Sequence, residues 1–70
     1  MTDVVAEMVA NVWKVVVAEG DAVAEGDPIA ILESMKMEIP VTAPRAGTVK
    51  EVRVKEGEVV KEGQVLVVLE

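Results

Sequence analysis

The sequence predicts a small all-β domain, and three observations support that prediction. The chain has seventeen valines but only three leucines and three isoleucines, and valine suits the pleated, half-buried surface of a sheet. The apolar residues fall in short runs between glycine turns, as in sandwiches and barrels. The chain also repeats itself. Its 70 residues allow one domain, spanning 1–70.

The repeat appears when the sequence is shifted by 37 residues, which aligns segment 4–33 with segment 41–70. Twelve of the 30 aligned positions are identical. Some of these are valines matched by composition alone, but the Glu-Gly pairs at 19–20 and 25–26 also fall on the Glu-Gly pairs at 56–57 and 62–63. We therefore expect two similar halves related by a quasi-twofold axis.

Each half reads as the same series of elements. An apolar run meets a Gly turn, a second Gly turn follows within a few residues, and a second apolar run closes the half. Glycine supplies positive φ at such turns without steric cost. Pro28 is expected to start a strand. The eight predicted strands are 4–9, 12–18, 22–24, 28–33, 37–43, 48–55, 59–60 and 64–70.

Alternation along the strands is uneven between the halves. Arg53 lies between two valines, which predicts clean in–out alternation. The aligned segment is the unbroken run of Val15, Val16 and Val17, so that strand is either covered on both faces or exposes one valine. Trp13 aligns with Lys50, which predicts a partly exposed ring over the edge of the core.

Composition excludes several classes of function. Seven basic and thirteen acidic residues give a net charge of −6, which predicts no binding to nucleic acid or to anionic membranes. Cysteine and histidine are both zero, so zinc sites and Cys–His or Ser–His catalysis are not expected. Residues 1–8 lack the basic and apolar regions of a secretory signal. We expect a cytoplasmic monomer with no catalytic residues.

The segment between the two halves carries an unusual composition. A connection as short as residues 34–40 predicts a tight hairpin with Lys36 at or near its tip. Hairpin tips favour Asn, Asp, Gly, Pro or Ser, yet here Met35 and Met37 flank the lysine. Either both methionines pack on the end of the sandwich, or they are exposed apolar groups for another protein to bind.

The segment Glu33-Ser34-Met35-Lys36-Met37-Glu38 resembles the attachment motif of biotinyl domains, commonly Glu-Ala-Met-Lys-Met. The likeness to the biotinyl/lipoyl attachment domain family covers essentially the whole chain, and it is strongest to the small, free-standing attachment proteins that are similar to biotin carboxyl carrier domains. The resemblance implies a flattened barrel-sandwich hybrid of two four-stranded antiparallel sheets with its modified lysine on a hairpin.

The resemblance also implies a function. Lys36 would carry biotin in amide linkage, and a biotin protein ligase would recognise Met35 and Met37 together with Glu33 and Ser34. The carrier would then move a carboxyl group between a biotin carboxylase and a carboxyltransferase. Ser34 departs from the usual Ala, a small-for-small change. The chain also lacks the protruding loop of some carrier domains near Val23, so the cofactor is expected to swing freely.

Two other functions remain open from the sequence. A lipoyl domain shares the fold and the modified hairpin lysine, but its motif is more often Asp-Lys-Ala than Met-Lys-Met. An unmodified β-sandwich could also serve as an interaction module. A carboxylate pair of Glu33 and Glu38 is not expected to be catalytic, since exposed acidic pairs on a hairpin are ordinarily solvated.

Overall fold

A computed structural model describes residues 1–70, and it contains eight strands and no helix. The strands are β1 (Thr2–Val5), β2 (Ala10–Val15), β3 (Ala22–Val23), β4 (Pro28–Ser34), β5 (Met37–Thr42), β6 (Gly47–Val52), β7 (Val59–Val60) and β8 (Val65–Leu69). All strand pairs are antiparallel. The predicted all-β class is confirmed. No segment forms a helix that is long and apolar enough to cross a membrane.

The strands form two four-stranded sheets, ordered β1-β8-β6-β3 and β5-β4-β2-β7. A shift of 37 residues converts one order into the other, because it relates β1 to β5, β8 to β4, β6 to β2 and β3 to β7. The repeat seen in the sequence is therefore a repeat of strand order and pairing. The two sheets are the predicted quasi-twofold pair.

The glycine turns of each half form backbone hydrogen bonds to the other half. The amide of Gly20 donates to the Val49 carbonyl at 2.8 Å, and the aligned Gly57 amide donates to the Val12 carbonyl at 2.8 Å. Both glycines have φ above +90°, a conformation that strains residues with a side chain. The second pair of turns repeats the pattern through Gly26 and Gly63. The halves are thus interlocked rather than placed side by side.

The core lies between the two sheets and is wholly apolar. Six of its eight largest fully buried side chains form aligned pairs: Ile29 with Leu66, Leu32 with Leu69, and Val12 with Val49. The other two, Val60 and Val67, align with Val23 and Ala30, which are also buried. No polar or charged residue is buried. Both halves therefore supply the same packing positions, and neither has a complete core without the other.

Three predicted strands differ from the structure by more than one residue at an end. β1 was expected over 4–9 but spans Thr2–Val5, because its partner β8 begins only at Val65; the Ala6 amide bonds to the Gln64 carbonyl of the preceding turn at 2.9 Å. β2 was expected over 12–18 but spans Ala10–Val15, and the Ala18 amide bonds instead to the Asp21 carboxylate at 2.9 Å. β6 was expected over 48–55 and spans Gly47–Val52. After β2 the apolar run continues past the last strand residue to Ala18, so the sequence pattern alone does not mark the end of that strand.

The long valine run exposes one residue. Val16 is 44% exposed while its neighbours Val15 and Val17 are half-buried. Trp13 is 47% exposed, as predicted from its alignment with Lys50, and Lys14 Nζ lies 5.6 Å from the centroid of its ring. The expected burial of Val54 beside exposed Arg53 is also observed.

The molecule is elongated, with extents of 31 × 17 × 17 Å, and its two ends differ. At one end lies the β4–β5 hairpin, whose last paired residues are Ser34 and Met37. At the other end Thr2 pairs with Leu69, so the first and last strands meet there. The quasi-twofold axis relates these two ends. The β4–β5 pair, which is closed by the hairpin turn, corresponds to the β8–β1 pair, where the chain termini lie instead of a turn.

Candidate functional site

The β4–β5 hairpin closes through a turn of only two residues, Met35 and Lys36. Six residue pairs join the two strands, up to Glu33 with Glu38 and Ser34 with Met37. Met35 has φ +52° and Lys36 has φ +63°, and positive φ at both central residues is the mark of a type I′ turn. The structure therefore places Lys36 in the turn itself, as the sequence predicted.

The turn is strained for its residues. Asn and Gly are favoured in type I′ turns because other residues resist positive φ, at a cost of about 1–2 kcal/mol each. These are the only two non-glycine residues of the chain with positive φ. Residues with unfavourable backbone angles persist where the surrounding structure constrains them, and they are frequent at functional sites. Here the six residue pairs between β4 and β5 constrain the turn.

The side chains of the turn are open to solvent. Met35 is 92% exposed and Met37 is 65% exposed, and Lys36 is also exposed. Lys36 makes no ion pair, since the single ion pair of the chain joins Arg53 to Glu51 at 2.8 Å. The alternative in which both methionines pack on the end of the sandwich is therefore wrong. The site presents a free amine between two apolar side chains.

The base of the hairpin is acidic. Glu33 and Glu38 are exposed and lie directly opposite each other, whereas Ser34 is half-buried opposite Met37. Like charges placed opposite on neighbouring strands are mildly destabilising. Strand pairing also brings Asn11 beside Glu33 and Val59 beside Asn11. The sequence analysis did not identify Asn11 and Val59 as neighbours of the hairpin, because they lie on other strands and no local motif indicates how those strands pair.

No cavity is lined by the residues of the turn. A shallow groove of about 320 Å³ lies beside β1 and β5, lined in part by Val5, Met8 and Ile39, and no residue of the turn lines it. The β3–β4 connection that follows Val23 contains only residues 24–27. A group attached to Lys36 therefore finds no pocket or overhanging loop formed by these residues.

An exposed and unpaired amine on a rigid hairpin suits amide linkage to a carboxylic acid. The amine needs no rearrangement of the fold to reach an enzyme, and a rigid turn lowers the ordering cost of binding. The geometry thus fits a covalently attached acyl group at Lys36. The chain holds no cluster of acidic side chains suited to a metal ion.

Comparison with known proteins gives the same result over nearly the whole chain. Residues 1–69 match the biotin/lipoyl family described as "Biotin-requiring enzyme". The chain is 57% identical over 49 residues to the biotin/lipoyl attachment protein of Bacillus subtilis, covering 70% of this chain and 67% of that protein. It is 60% identical over 52 residues to the biotinylated protein TB7.3 homolog of Mycobacterium leprae, covering 74% and 73%.

A solved structure shares the fold. The chain superposes on part of the urea carboxylase of Kluyveromyces lactis with a TM-score of 0.92 and 35% sequence identity, covering 99% of this chain. It spans only 6% of that carboxylase, so the similarity concerns one domain of a much larger enzyme. With its paired sheets, its hairpin lysine and a family match over residues 1–69, the chain belongs to the biotin/lipoyl attachment domain family.

Proposed function

We propose that this protein is a biotin carrier whose attachment site is the Nζ of Lys36. One observation carries the proposal: Lys36 lies in the two-residue turn of the β4–β5 hairpin, between two exposed methionines. Relatives named as biotin/lipoyl attachment and biotinylated proteins, and a structural neighbour named as a carboxylase, support the choice of biotin.

Attachment requires a separate ligase and an activated acyl donor. Nζ first loses one proton to become the neutral amine and then attacks the acyl carbon. An amide bond forms, the activating group leaves, and the nitrogen gives up a second proton, so it keeps one hydrogen and no charge. The formal net charge of the protein then moves from −6 to −7. Lys36 acts as the acceptor, and Met35 and Met37 supply apolar contacts that distinguish it from the other lysines: Lys14, Lys50, Lys55 and Lys61.

Attached biotin would carry a carboxyl group between the active sites of a biotin carboxylase and a carboxyltransferase. The role of this chain is to tether and present it, which raises its effective concentration at both sites. The narrow end of a 17 Å-wide body offers little contact area, so each encounter should be small and short-lived. The carrier is a cytoplasmic monomer in this proposal.

The test is modification of the purified chain by a biotin protein ligase with ATP and biotin, followed by intact mass and peptide mapping. We expect one biotinyl group, on Lys36, and none on the Lys36→Arg variant. Lys14→Arg is the matched control and should be modified like the parent. Modification at another lysine would contradict the assignment of the site.

A parallel reaction with a lipoate ligase tests the cofactor. A lipoyl group accepted faster than biotin would overturn the biotin assignment in favour of the lipoyl alternative. If neither group is attached, the interaction-module function gains support, and Lys36→Arg should then leave binding to its partner unchanged.

A further inference from the structure

Two of the four methionine sulfurs of the chain lie at the β4–β5 turn. Cysteine is absent and there are four methionines, so thioethers are the only sulfur atoms available. Met35 and Met37 flank Lys36 and are 92% and 65% exposed. Met8 is 39% exposed and lines the groove beside β1 and β5. Met1 is 82% exposed at the other end of the molecule, where Lys50 Nζ lies 3.1 Å from its sulfur.

Local geometry explains why the two turn methionines stay uncovered. The positive φ of Met35 places it at the tip, beyond the last strand pair, where no neighbouring strand continues. Met37 lies opposite Ser34, whose side chain is too short to cover a thioether. Repacking does not shield either sulfur, because the type I′ turn is held by the six pairs of the β4–β5 ladder.

We propose that Met35 and Met37 form a reversible oxidation site that controls modification of Lys36. Hydrogen peroxide is the oxidant: a thioether sulfur attacks one peroxide oxygen, the O–O bond breaks, an S–O bond forms and water leaves. Sulfur is oxidised by two electrons and the peroxide is reduced. The inference rests on the proposed biotin attachment, since its effect is on the ligase reaction.

Oxidation changes the chemistry of the contact surface. A methionine sulfoxide is polar and chiral, whereas the thioether is apolar and adaptable. A ligase that buries the thioethers would have to remove water from the new S–O dipole without gaining a partner for it, and this is unfavourable. Methionine sulfoxide reductases reverse the change with electrons from a thiol, so the effect is a switch rather than damage.

The experiment begins with limited treatment of the unmodified protein by hydrogen peroxide, quenched with catalase. Peptide mapping then gives the order of oxidation, and biotin ligase gives the initial rate of modification. We expect sulfoxide at Met35 and Met37 before Met8, and a fall in kcat/KM of about tenfold, the scale of one lost apolar contact. Treatment with both reductases should restore the rate.

The matched control is the double variant Met35→Leu, Met37→Leu. It keeps an apolar hairpin of similar volume while Met1 and Met8 remain oxidisable. Its ligase rate should be unaffected by peroxide, and circular dichroism before and after treatment should confirm that the fold is intact. The Met8→Leu variant should keep the sensitivity of the parent.

Several results would overturn the inference. Met8 could oxidise as fast as the turn methionines, the oxidised parent could be modified at the original rate, or the double-leucine variant could lose as much rate as the parent. Failure of the untreated protein to accept biotin is a separate result: it rejects the proposed function and the inference that depends on it.

Discussion

The two turn residues are not those that would stabilise the turn most. Met35 and Lys36 occupy positive φ where Asn and Gly are the favoured pair. Under the proposed function Lys36 is needed for the amide link, whereas nothing in the fold requires a methionine beside it. The exposure of Met35 also means that its side chain contributes little to packing. Under the proposed function, recognition by the ligase accounts for a methionine at this position.

The variant Met35→Asn should therefore separate stability from function. Asn tolerates the left-handed region better than Met does, so we expect a gain of about 0.5 kcal/mol and a melting temperature higher by roughly 2–4 °C. The initial rate of biotinylation should fall, because an apolar contact is lost. Thermal melts followed by circular dichroism and ligase kinetics measure the two effects. A lower melting temperature would refute the strain argument.

Gly47 illustrates a different constraint, that of space. A Cβ at this position would lie 2.9 Å from Arg45 Nη1 and 3.0 Å from the Glu70 carbonyl oxygen. The aligned residue in the first half is Ala10, so the restriction at Gly47 is not shared by the two halves and comes from Arg45 and Glu70. Arg45 is itself fixed by a hydrogen bond from its Nε to Thr2 Oγ1 at 2.6 Å.

We predict that Gly47→Ala lowers the free energy of unfolding by about 1–3 kcal/mol, the usual range for overpacking. Gly57→Ala is the control, because it has φ +93° with nothing near its Cβ and should report the backbone cost alone, about 1 kcal/mol. Urea denaturation compares them. If Gly47→Ala lowers the free energy of unfolding no more than Gly57→Ala does, the side chains around Gly47 can move aside without an energetic cost.

At the scale of elements, the short turns that join β3 to β4 and β7 to β8 are closed by side chains as well as by glycine. Asp27 Oδ2 accepts a hydrogen bond from the Ala24 amide at 2.8 Å, and the aligned Gln64 Oε1 accepts one from the Lys61 amide at 3.1 Å. Two different side chains, a carboxylate and an amide, thus accept the same backbone hydrogen bond in the corresponding turns of the two halves.

Removing one of these acceptors should loosen its turn. We expect Asp27→Ala to cost about 1 kcal/mol, as loss of a side-chain cap does elsewhere. Glu25→Ala in the same turn removes an exposed carboxylate that makes no side-chain hydrogen bond and should change stability by less than about 0.5 kcal/mol. Chemical denaturation distinguishes the two, and equal effects would contradict the assigned role of Asp27.

The elements also show what could be read from the sequence. The repeat and the Gly turns predicted the number of strands, their order of appearance and the hairpin at Lys36. They did not predict that β1 ends at Val5, because Val9 is as apolar as Val5 and the strand ends where its partner β8 begins, at Val65. The Asn11 and Val59 neighbours were unreadable for the same reason, since register is set by contacts between distant segments.

For the whole molecule, stability depends on a small core shared by both halves. Leu66 is fully buried, as is its aligned partner Ile29. Because the Gly turns of each half bond to strands of the other, one half cannot be expected to remain folded after the other has opened. The two copies should unfold together.

The variant Leu66→Ala tests this expectation. We predict a loss of about 2–5 kcal/mol, which is a large part of the total stability of a 70-residue chain. Unfolding should remain a single transition in which circular dichroism and Trp13 fluorescence coincide. Val16→Ala, at a position 44% exposed, is the control and should cost far less. Two separated transitions would mean that the halves are independent.

The meeting of the first and last strands at the end opposite Lys36 has a mechanical consequence. Any polypeptide joined to either end of the chain pulls from the same side of the molecule. The body then behaves as a lever that pivots at that side, and Lys36 sweeps an arc whose radius is close to the 31 Å length of the fold. The domain itself would therefore add most of its own length to the distance over which a group attached to Lys36 can travel.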